Sequence, residues 1–455
     1  MKNIESEILR NNLNYTLFEW RKQSGYKPLN IDKGEGVYLI DHQKNKILDF
    51  SSGLINVNIG HGDQRVTDAV VKQMQKVSYV NPSTITKVRG ELGKKLSEIC
   101  PGNLNKSFFT ICGATGIENA IKLASNENPM GPSPKILDSI EAVLKETHRY
   151  PDGNATRLKS TIARKFNVED NQVTIGNGSN DIIEFVARIF LSPNGHNGQN
   201  DSAIYSEHAF AVYPLVVKAV GAKGIEVPAK NFSHDLDLML ESIEESTKLI
   251  FIANPNNPTG SFIEYDKLIA FLEKVPEHII VLLDQAYFDY SSFETKDIDF
   301  DVLNRFPNLI MSRSFSKAYG LAGFRVGFCV SSTEIADYLN RVRQPFNANS
   351  LALFAAEKAL EDQDFIDKCL QLNLEQKELL FKELESLGFD CLPSRGNFIS
   401  FDCKQDSREA FNKLLKEGVI VRSLAVYKMP NYLRVSVGLP EENLSFLEKI
   451  KSTLL

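Results

Sequence analysis

A lysine surrounded by hydroxyl groups carries the strongest chemical signal in this sequence of 455 residues. Lys317 follows the apolar run 308–311. Its neighbours along the chain include Ser314, Ser316 and, eight residues further on, Arg325. A lysine at the end of a strand in a cleft can form a Schiff base with an aldehyde, and hydroxyl groups with an arginine can bind a phosphate. A single lysine would ordinarily only face solvent, so it is the combination that predicts a functional site.

An acid at the end of another apolar run gives the second signal. Asp284 closes the run 278–284 and precedes Tyr287 by three residues. A buried carboxylate needs a cationic or hydrogen-bonding partner, because burying it alone is costly. Asp284 can be a structural helix cap. It can also keep a pyridinium nitrogen protonated, which is what makes pyridoxal phosphate an electron sink.

Two loops add polar groups at the ends of predicted strands. The loop 254–260 holds two prolines and a glycine, which predict a tight turn, and the amide of Asn257 could donate to a phenolate oxygen. The loop 176–180 lies between a strand and a helix and ends in Ser179 and Asn180. Backbone N–H groups at a helix start can bind an anion. Each loop is a weak signal by itself.

Two arginines stand in predicted strands near the end of the chain. Arg422 and Arg434 lie in the apolar segments 419–424 and 432–437. An arginine rarely enters such a strand unless it meets an anion. An ordinary salt bridge is one explanation. The other is a pair of arginines that binds a phosphate or carboxylate of a substrate.

The elements that must position these residues follow an α/β pattern. From about residue 173, short apolar runs alternate with amphipathic stretches, which predicts βα units around a mostly parallel sheet. After residue 333, long helices and short strands predict a smaller α+β domain. The first 122 residues have paired short strands at 36–41 and 46–53 and helices at 64–76 and 87–99. They are expected to form an additional α+β segment.

Composition excludes several classes of partner. The net charge of −6 gives no general attraction to nucleic acid or to anionic lipid, and no apolar run is long enough to span a bilayer. The six cysteines lack metal-ligand spacing, so no metal site and a reduced, cytoplasmic location are expected. Charge is uneven along the chain: residues 1–122 carry 17 basic and 12 acidic side chains, and residues 123–455 carry 35 and 46.

From about residue 122 to its end, the chain resembles the histidinol-phosphate aminotransferases, which belong to the class I/II, fold-type I family of pyridoxal-phosphate enzymes. Ten motifs carry the resemblance in family order, and they span about 330 residues. They lie at 123–134, 149–159, 176–181, 205–213, 254–260, 284–287, 312–328, 343–347, 394–399 and 431–438.

The resemblance implies a role for each matching residue. Lys317 would bind the cofactor covalently and move protons, Asp284 would pair with the pyridinium nitrogen, and Phe210 would stack on the ring. Asn257 and Tyr287 would hydrogen-bond the phenolic oxygen of the cofactor. The resemblance implies that Asn126, Arg422 and Arg434 bind the substrate. The phosphate of the cofactor would be bound by Ser179, Asn180, Ser314, Ser316, Arg325 and, from the partner subunit of a homodimer, Tyr150.

The first part of the chain resembles a different family, the class III aminotransferases. The matching segments are 34–41, 47–53, 58–62, 108–110 and 113–120. The cofactor lysine and aspartate of that family would lie further on, after the chain has switched to the other family at Ile121–Ala124. The chain is therefore interpreted as a fusion of a class III fragment (1–122), a large cofactor-binding domain (123–332) and a small domain (333–455). The loop 113–115 would be a phosphate-binding turn without the rest of its site.

The expected reaction is transfer of the amino group of L-histidinol phosphate to 2-oxoglutarate, a step of histidine biosynthesis. Two alternatives keep the cofactor: transamination of an aromatic or other amino acid, and decarboxylation of a phosphorylated amino acid. A third is a catalytically impaired fusion, because the fragment 1–122 replaces the arm that covers the substrate in the family. Lys428, where the family has glycine, is a further departure near the substrate arginines.

Overall fold

The computed structural model describes residues 2–15, 28–50, 57–77, 85–99, 121–195, 198–296 and 298–455. The chain divides into two compact units, 1–107 and 108–455. The loop 113–115 and the motif 108–110 lie outside the described residues. Among the described residues, no helix is both long and apolar enough to cross a membrane.

The described residues of the first unit form a small sheet and three helices. Strands β1 (Ile31–Glu35), β2 (Tyr38–Asp41) and β3 (Lys46–Leu48) form an antiparallel sheet in that order. The helices are Lys2–Tyr15, Gln64–Lys76 and Lys87–Ile99, and the latter two confirm the predicted bounds. Among the described residues of this unit, Ile40 is the one apolar side chain that is buried.

A seven-stranded sheet forms the centre of the second unit and confirms the predicted α/β class. Its order is β5-β11-β10-β9-β8-β6-β7, and β11 alone runs antiparallel to its neighbours. The strands are β5 (Val173–Gly176), β6 (Ser202–Ser206), β7 (Lys223–Val227), β8 (Thr247–Ala253), β9 (Ile280–Asp284), β10 (Leu309–Ser314) and β11 (Gly327–Val330). This is called the main sheet below.

Both faces of the main sheet are covered by apolar side chains. Along β8, Leu249 and Phe251 belong to one buried cluster, while Ile250 and Ile252 belong to the other. This alternation follows from the two-residue period of a strand, and it requires helices on both faces. The helices of this region are Pro134–Leu144, Thr156–Phe166, Ser179–Phe190, Val212–Ala219, Leu236–Glu241, Tyr265–Leu272, Phe288–Glu294, Thr333–Val342 and Ser350–Leu360.

A second sheet lies towards the end of the chain and is called the C-terminal sheet. Its strands β12 (Asp390–Leu392), β13 (Phe398–Asp402), β15 (Arg422–Ser423) and β16 (Tyr432–Ser436) follow the order β12-β13-β16-β15. The helices around it are Gln363–Ser386, Ser407–Lys416 and Pro440–Leu454. Strand β14 (Val419–Ile420) pairs in parallel with β4 (Ile121–Lys122). Leu123 is buried in an apolar cluster that also contains Val419 and residues of the C-terminal sheet. The residues at the predicted family junction thus pack against the C-terminal part of the chain.

Candidate active site

One cavity of about 280 Å³ brings thirteen of the predicted site residues together. It lies where β8, β9 and β10 end, the edge at which ligands bind in open α/β sheets. The C-terminal sheet supplies Arg422 and Arg434 to its lining. The predicted residues that line it are Asn126, Ser179, Asn180, Phe210, Asn257, Asp284, Tyr287, Ser314, Ser316, Lys317, Arg325, Arg422 and Arg434.

Lys317 lies in the turn after β10. Its Nζ donates to the backbone carbonyl oxygens of Ser125, at 3.0 Å, and Asn126, at 3.2 Å. Burial and, after it, the positive charge of Arg434 lower the pKa of Lys317 to about 8. A lysine with this pKa is partly neutral near physiological pH, which a nucleophilic amine requires.

Asp284 is the last residue of β9 and is held by three donors. Tyr213 donates its O–H to one carboxylate oxygen at 2.9 Å, and Ser312 and the N–H of Ala286 donate to the other at 3.2 Å. Burial raises the pKa of Asp284, while these hydrogen bonds, first that from Tyr213, lower it. Tyr213 and Ser312 were not predicted as site residues, although each stands in one of the ten motifs.

An anion-binding corner forms where the helix Ser179–Phe190 begins. Gly178 precedes this helix with φ +80°, and a Cβ atom placed there would lie 2.5 Å from Nη2 of Arg325. Glycine therefore allows the guanidinium to approach the start of the helix. Arg325 also donates to the hydroxyl of Ser316 at 3.4 Å. Hydroxyl groups, a helix start and an arginine together are donors suited to a phosphate.

The two strand arginines face each other across β15 and β16. Arg422 and Arg434 are directly paired in this antiparallel register, so both side chains point to the same side of the sheet. Arg434 donates to Asn257 and, at 2.8 Å, to the carbonyl of Ala124, while its buried Nε has no hydrogen-bond partner among the described residues. Like charges in directly opposed positions are unfavourable unless an anion lies between them. This pair therefore offers donors suited to a second anion.

Asn126 lies near the first described residues of the second unit and lines the cavity. It is 1% exposed, has φ +54°, and donates from its amide to the phenolic oxygen of Tyr287 at 2.8 Å. Its Oδ1 accepts from Ser436 at 3.2 Å. Burial raises the pKa of Tyr287 to about 12, so its phenol keeps its proton and can donate. Both polar atoms of the Asn126 amide are thus bonded within the protein.

Other cavity residues were not predicted. Tyr427 lines the cavity beside the arginines, and the carbonyl groups of Ala124, Ser125 and Asn126 accept from Arg434 and Lys317. No side-chain type marks a backbone carbonyl as functional. The motif 123–134 was the only available signal for these three carbonyls.

Tyr150 lies apart from the other predicted residues. Its side chain is 82% exposed and stacks on Phe346, with ring centroids 4.7 Å apart. Both rings line a separate surface groove that includes Pro151, Pro345 and Leu351. Within one chain, Tyr150 does not reach the cavity, and its predicted role in a partner subunit remains a prediction.

Two family models match the chain. The model "Aminotransferase class I and II" matches residues 118–450, and the model "Aminotransferase class-III" matches residues 21–138. The two matches overlap at 118–138, a range that includes the switch at Ile121–Ala124. Both resemblances stated from the sequence are therefore confirmed.

Curated relatives and solved structures agree with the longer match. "Histidinol-phosphate aminotransferase 1" of Idiomarina loihiensis is 48% identical over 356 residues, which are 78% of this chain and 95% of that protein. "Histidinol-phosphate aminotransferase 2" of Pseudomonas fluorescens is 52% identical over 334 residues, or 73% and 89%. The crystal structure of the Sinorhizobium meliloti histidinol-phosphate aminotransferase with pyridoxal-5'-phosphate superposes with a TM-score of 0.70 at 25% identity, covering 76% and 95%. The chain belongs to the family of class I and II aminotransferases.

Proposed function

We propose that the protein transfers the amino group of L-histidinol phosphate to 2-oxoglutarate with pyridoxal phosphate as cofactor, giving imidazole-acetol phosphate and glutamate. One observation carries the proposal: a partly buried lysine and a buried carboxylate line one cavity together with two separate groups of anion-binding side chains. The curated relatives named for this reaction, at about 50% identity, support it. It is the reaction expected from the sequence.

The cavity residues fit this cofactor. The start of the helix Ser179–Phe190, with Ser314, Ser316 and Arg325, offers donors for its phosphate, and Gly178 leaves the room that Arg325 needs. Phe210 and the small Ala286 both line the cavity, which leaves space for a flat ring beside them. When bound, pyridoxal phosphate withdraws electrons from the amino-bearing carbon of a substrate and so lowers the barrier to proton loss. Asn180 is assigned to the phosphate as well.

The other polar side chains orient the cofactor. Asp284, whose three hydrogen-bond donors oppose the effect of burial on its pKa, would pair as a carboxylate with the ring nitrogen and hold it protonated. Tyr287 and Asn257 would donate to the phenolic oxygen. Asn257 is free for this role because Arg434 occupies its Oδ1 and leaves its NH₂ group available. Asn126 fixes Tyr287 and is assigned to the substrate side of the cavity.

Lys317 is the acid–base group of the proposed reaction. Its amine lies between carbonyl acceptors and keeps a pKa of about 8, so it can both accept and return a proton near neutral pH. Proton transfer at the amino-bearing carbon then depends on one positioned side chain.

Arg422 and Arg434 would bind the anionic group of each substrate in turn. A guanidinium pair binds phosphate and carboxylate alike, so one site can receive histidinol phosphate and then 2-oxoglutarate. Because the two substrates use the same site, they must bind alternately. Ping-pong kinetics are therefore expected.

Substitution of the lysine with product analysis tests the proposal. Lys317→Ala should abolish both turnover of histidinol phosphate and the visible absorption of the bound cofactor. Release of carbon dioxide without an oxo acid would instead identify a decarboxylase, and a response only to phenylalanine or to ω-amines would identify another transaminase. Either of these last two results, carbon dioxide release or a response to other donors only, would overturn the assigned reaction.

We also infer a cytoplasmic homodimer in which Tyr150 of each subunit completes the cofactor phosphate site of the other. The exposed Tyr150–Phe346 stack in an apolar groove supports an interface at this face. The domain bounds 1–122, 123–332 and 333–455 are proposed with it. These bounds are supported by the change in charge balance between residues 1–122 and 123–455. This change falls within 118–138, where the two family matches overlap.

A further inference from the structure

Lys428 connects the two sheets of the second unit, directly after Tyr427, which lines the cavity. It follows the short helix Ala425–Tyr427, and its ammonium bonds the carboxylate of Glu226 and lies 3.6 Å from that of Glu207. Glu226 belongs to β7 and Glu207 directly follows β6, so both carboxylates are held by the main sheet. Lys428 itself is held by the turn between β15 and β16.

The backbone of Lys428 is unusual for its residue type. Its φ of +59° lies in the left-handed region, which is unfavourable for residues other than glycine. A lysine here needs a compensating contact. The two carboxylates provide one, although the lysine side chain remains 58% exposed.

A second bond joins the same two segments. His208 donates from Nδ1 to the backbone carbonyl of Tyr427 at 2.6 Å. Tyr427 lines the cavity, and so does Phe210, two residues after His208. The contacts of Glu207, Glu226 and Lys428, which we call the clasp, therefore join two segments that each supply a wall of the cavity.

We propose that Lys428 is a positioning residue for the proposed reaction. Its ion pairs in the clasp hold Tyr427 near the Phe210 wall and so keep the cavity closed around the anionic group of the substrate. This inference rests on the function proposed above. The competing explanation is that the positive charge of Lys428 simply attracts an anionic substrate.

The two explanations differ for Glu226→Gln. Loss of the clasp should raise KM for histidinol phosphate about two- to fivefold, the size expected for partly exposed ion pairs, with kcat nearly unchanged. Simple attraction predicts an unchanged or lower KM, because a negative charge near the substrate is removed. Lys428→Gly should raise KM similarly, and the double variant should be no worse than the more impaired single variant. Lys428→Arg should preserve most of the wild-type KM.

The chain offers a matched control for the backbone effect. Lys404 also has a left-handed φ, +57°, and is paired with a carboxylate, that of Asp390. Lys404 and Lys428 both belong to the region of the C-terminal sheet, and neither lines the cavity. Lys404→Gly should leave KM unchanged. An equal rise of KM in Lys404→Gly and Lys428→Gly would overturn the clasp.

Hydrogen exchange tests the clasp by a measurement that does not depend on enzyme activity. In the holoenzyme, Glu226→Gln should accelerate amide exchange in residues 424–429, which are far from residue 226 in sequence, and leave exchange around Lys404 unchanged. If wild-type protein did not turn over histidinol phosphate, the proposed function would fail while this measurement still reported on the clasp. Unchanged exchange at 424–429, or a KM that does not rise, would overturn the proposal.

Discussion

The pKa of Lys317 sets the pH dependence of cofactor capture. Its amine attacks an aldehyde only when neutral, and burial lowers its pKa from 10.5 to about 8. The rate at which cofactor-free protein binds pyridoxal phosphate covalently should therefore rise with pH, with a midpoint near 8, and level off above it. Stopped-flow absorbance measures this rate.

Arg434 provides the control for this prediction. Its charge also lowers the pKa of Lys317, so Arg434→Gln should move the midpoint to higher pH. A wild-type midpoint near 10.5, or no change of midpoint in Arg434→Gln, would contradict the assigned cause.

The hydrogen bond from Tyr213 opposes the effect of burial on the pKa of Asp284. This bond is the largest influence that lowers the pKa of Asp284. Tyr213→Phe should therefore raise this pKa and move the acidic limb of the kcat/KM profile to higher pH. A hydrogen bond to a charged group is worth about 1.5–3 kcal/mol, which corresponds to about one to two pH units.

A surface tyrosine tests the specificity of that effect. Tyr338 donates to Glu334 at 2.9 Å on the exposed face of the helix Thr333–Val342, so Tyr338→Phe removes a similar bond between residues that do not line the cavity. Its pH profile should match that of the wild type. An acidic limb that stays in place in Tyr213→Phe would show that other donors suffice for Asp284.

Side-chain chemistry was predictable from the sequence where a residue acts through its own functional group. Lys317, Asp284 and Arg325 were found in this way, and the structure brings them into one cavity. Tyr213 was missed because its spacing from Asp284 along the chain carries no information about their contact. The carbonyls that hold Lys317 were missed because every residue has one.

At the scale of elements, the loop 176–178 leads into the anion-binding corner, which would hold the phosphate of the cofactor. Gly178→Ala should weaken pyridoxal phosphate binding by about 10- to 100-fold, because the new Cβ would lie 2.5 Å from Arg325 Nη2 and would also strain a φ of +80°. Equilibrium titration of the cofactor measures this effect.

Gly388→Ala separates strain from contact. Gly388 has φ +88°, but a Cβ there meets nothing within 4 Å. This variant should lose some thermal stability and keep cofactor affinity. Equal loss of cofactor affinity in both variants would mean that phosphate binding at the anion-binding corner does not depend on the approach of Arg325.

Truncation tests where the catalytic unit begins. All described cavity residues lie within 124–434, so deletion of residues 1–107 should preserve cofactor binding and turnover. Deletion of residues 1–124 should abolish both, because it removes β4, buried Leu123 and the carbonyl of Ala124 that accepts from Arg434. Absorption spectra and turnover of the two truncated proteins measure the outcome.

Strands of the main sheet were predictable where they are buried on both faces. The sequence predicts these six strands, β5, β6 and β8 to β11, from the apolar runs 173–176, 203–206, 248–254, 278–284, 308–314 and 325–331. The structure confirms each run within two residues at either end. The edge strand β7 was missed because Lys223 and Glu226 interrupt its apolar pattern and its first residues are exposed. An edge strand needs less apolar side chain than a central one.

For the whole molecule, the uneven charge and the overlapping family matches indicate two ancestries within one chain. The first unit buries few apolar side chains among its described residues, whereas the second contains three extensive buried clusters. Burial of apolar surface is the main stabilising term in folding. The second unit should therefore supply most of the stability of the protein, a property that composition alone did not reveal.

The proposed dimer can be tested by mixing two inactive proteins. Lys317→Ala lacks the reactive amine, and Tyr150→Ala lacks the ring assigned to the neighbouring subunit. In a hybrid dimer one of the two sites has both wild-type residues, so co-refolding equal amounts should restore about a quarter of wild-type activity. A chain that completes its own site would recover nothing on mixing. Sizing chromatography of each variant establishes that both still form dimers, so that a failure to recover activity would count against the shared site rather than against assembly.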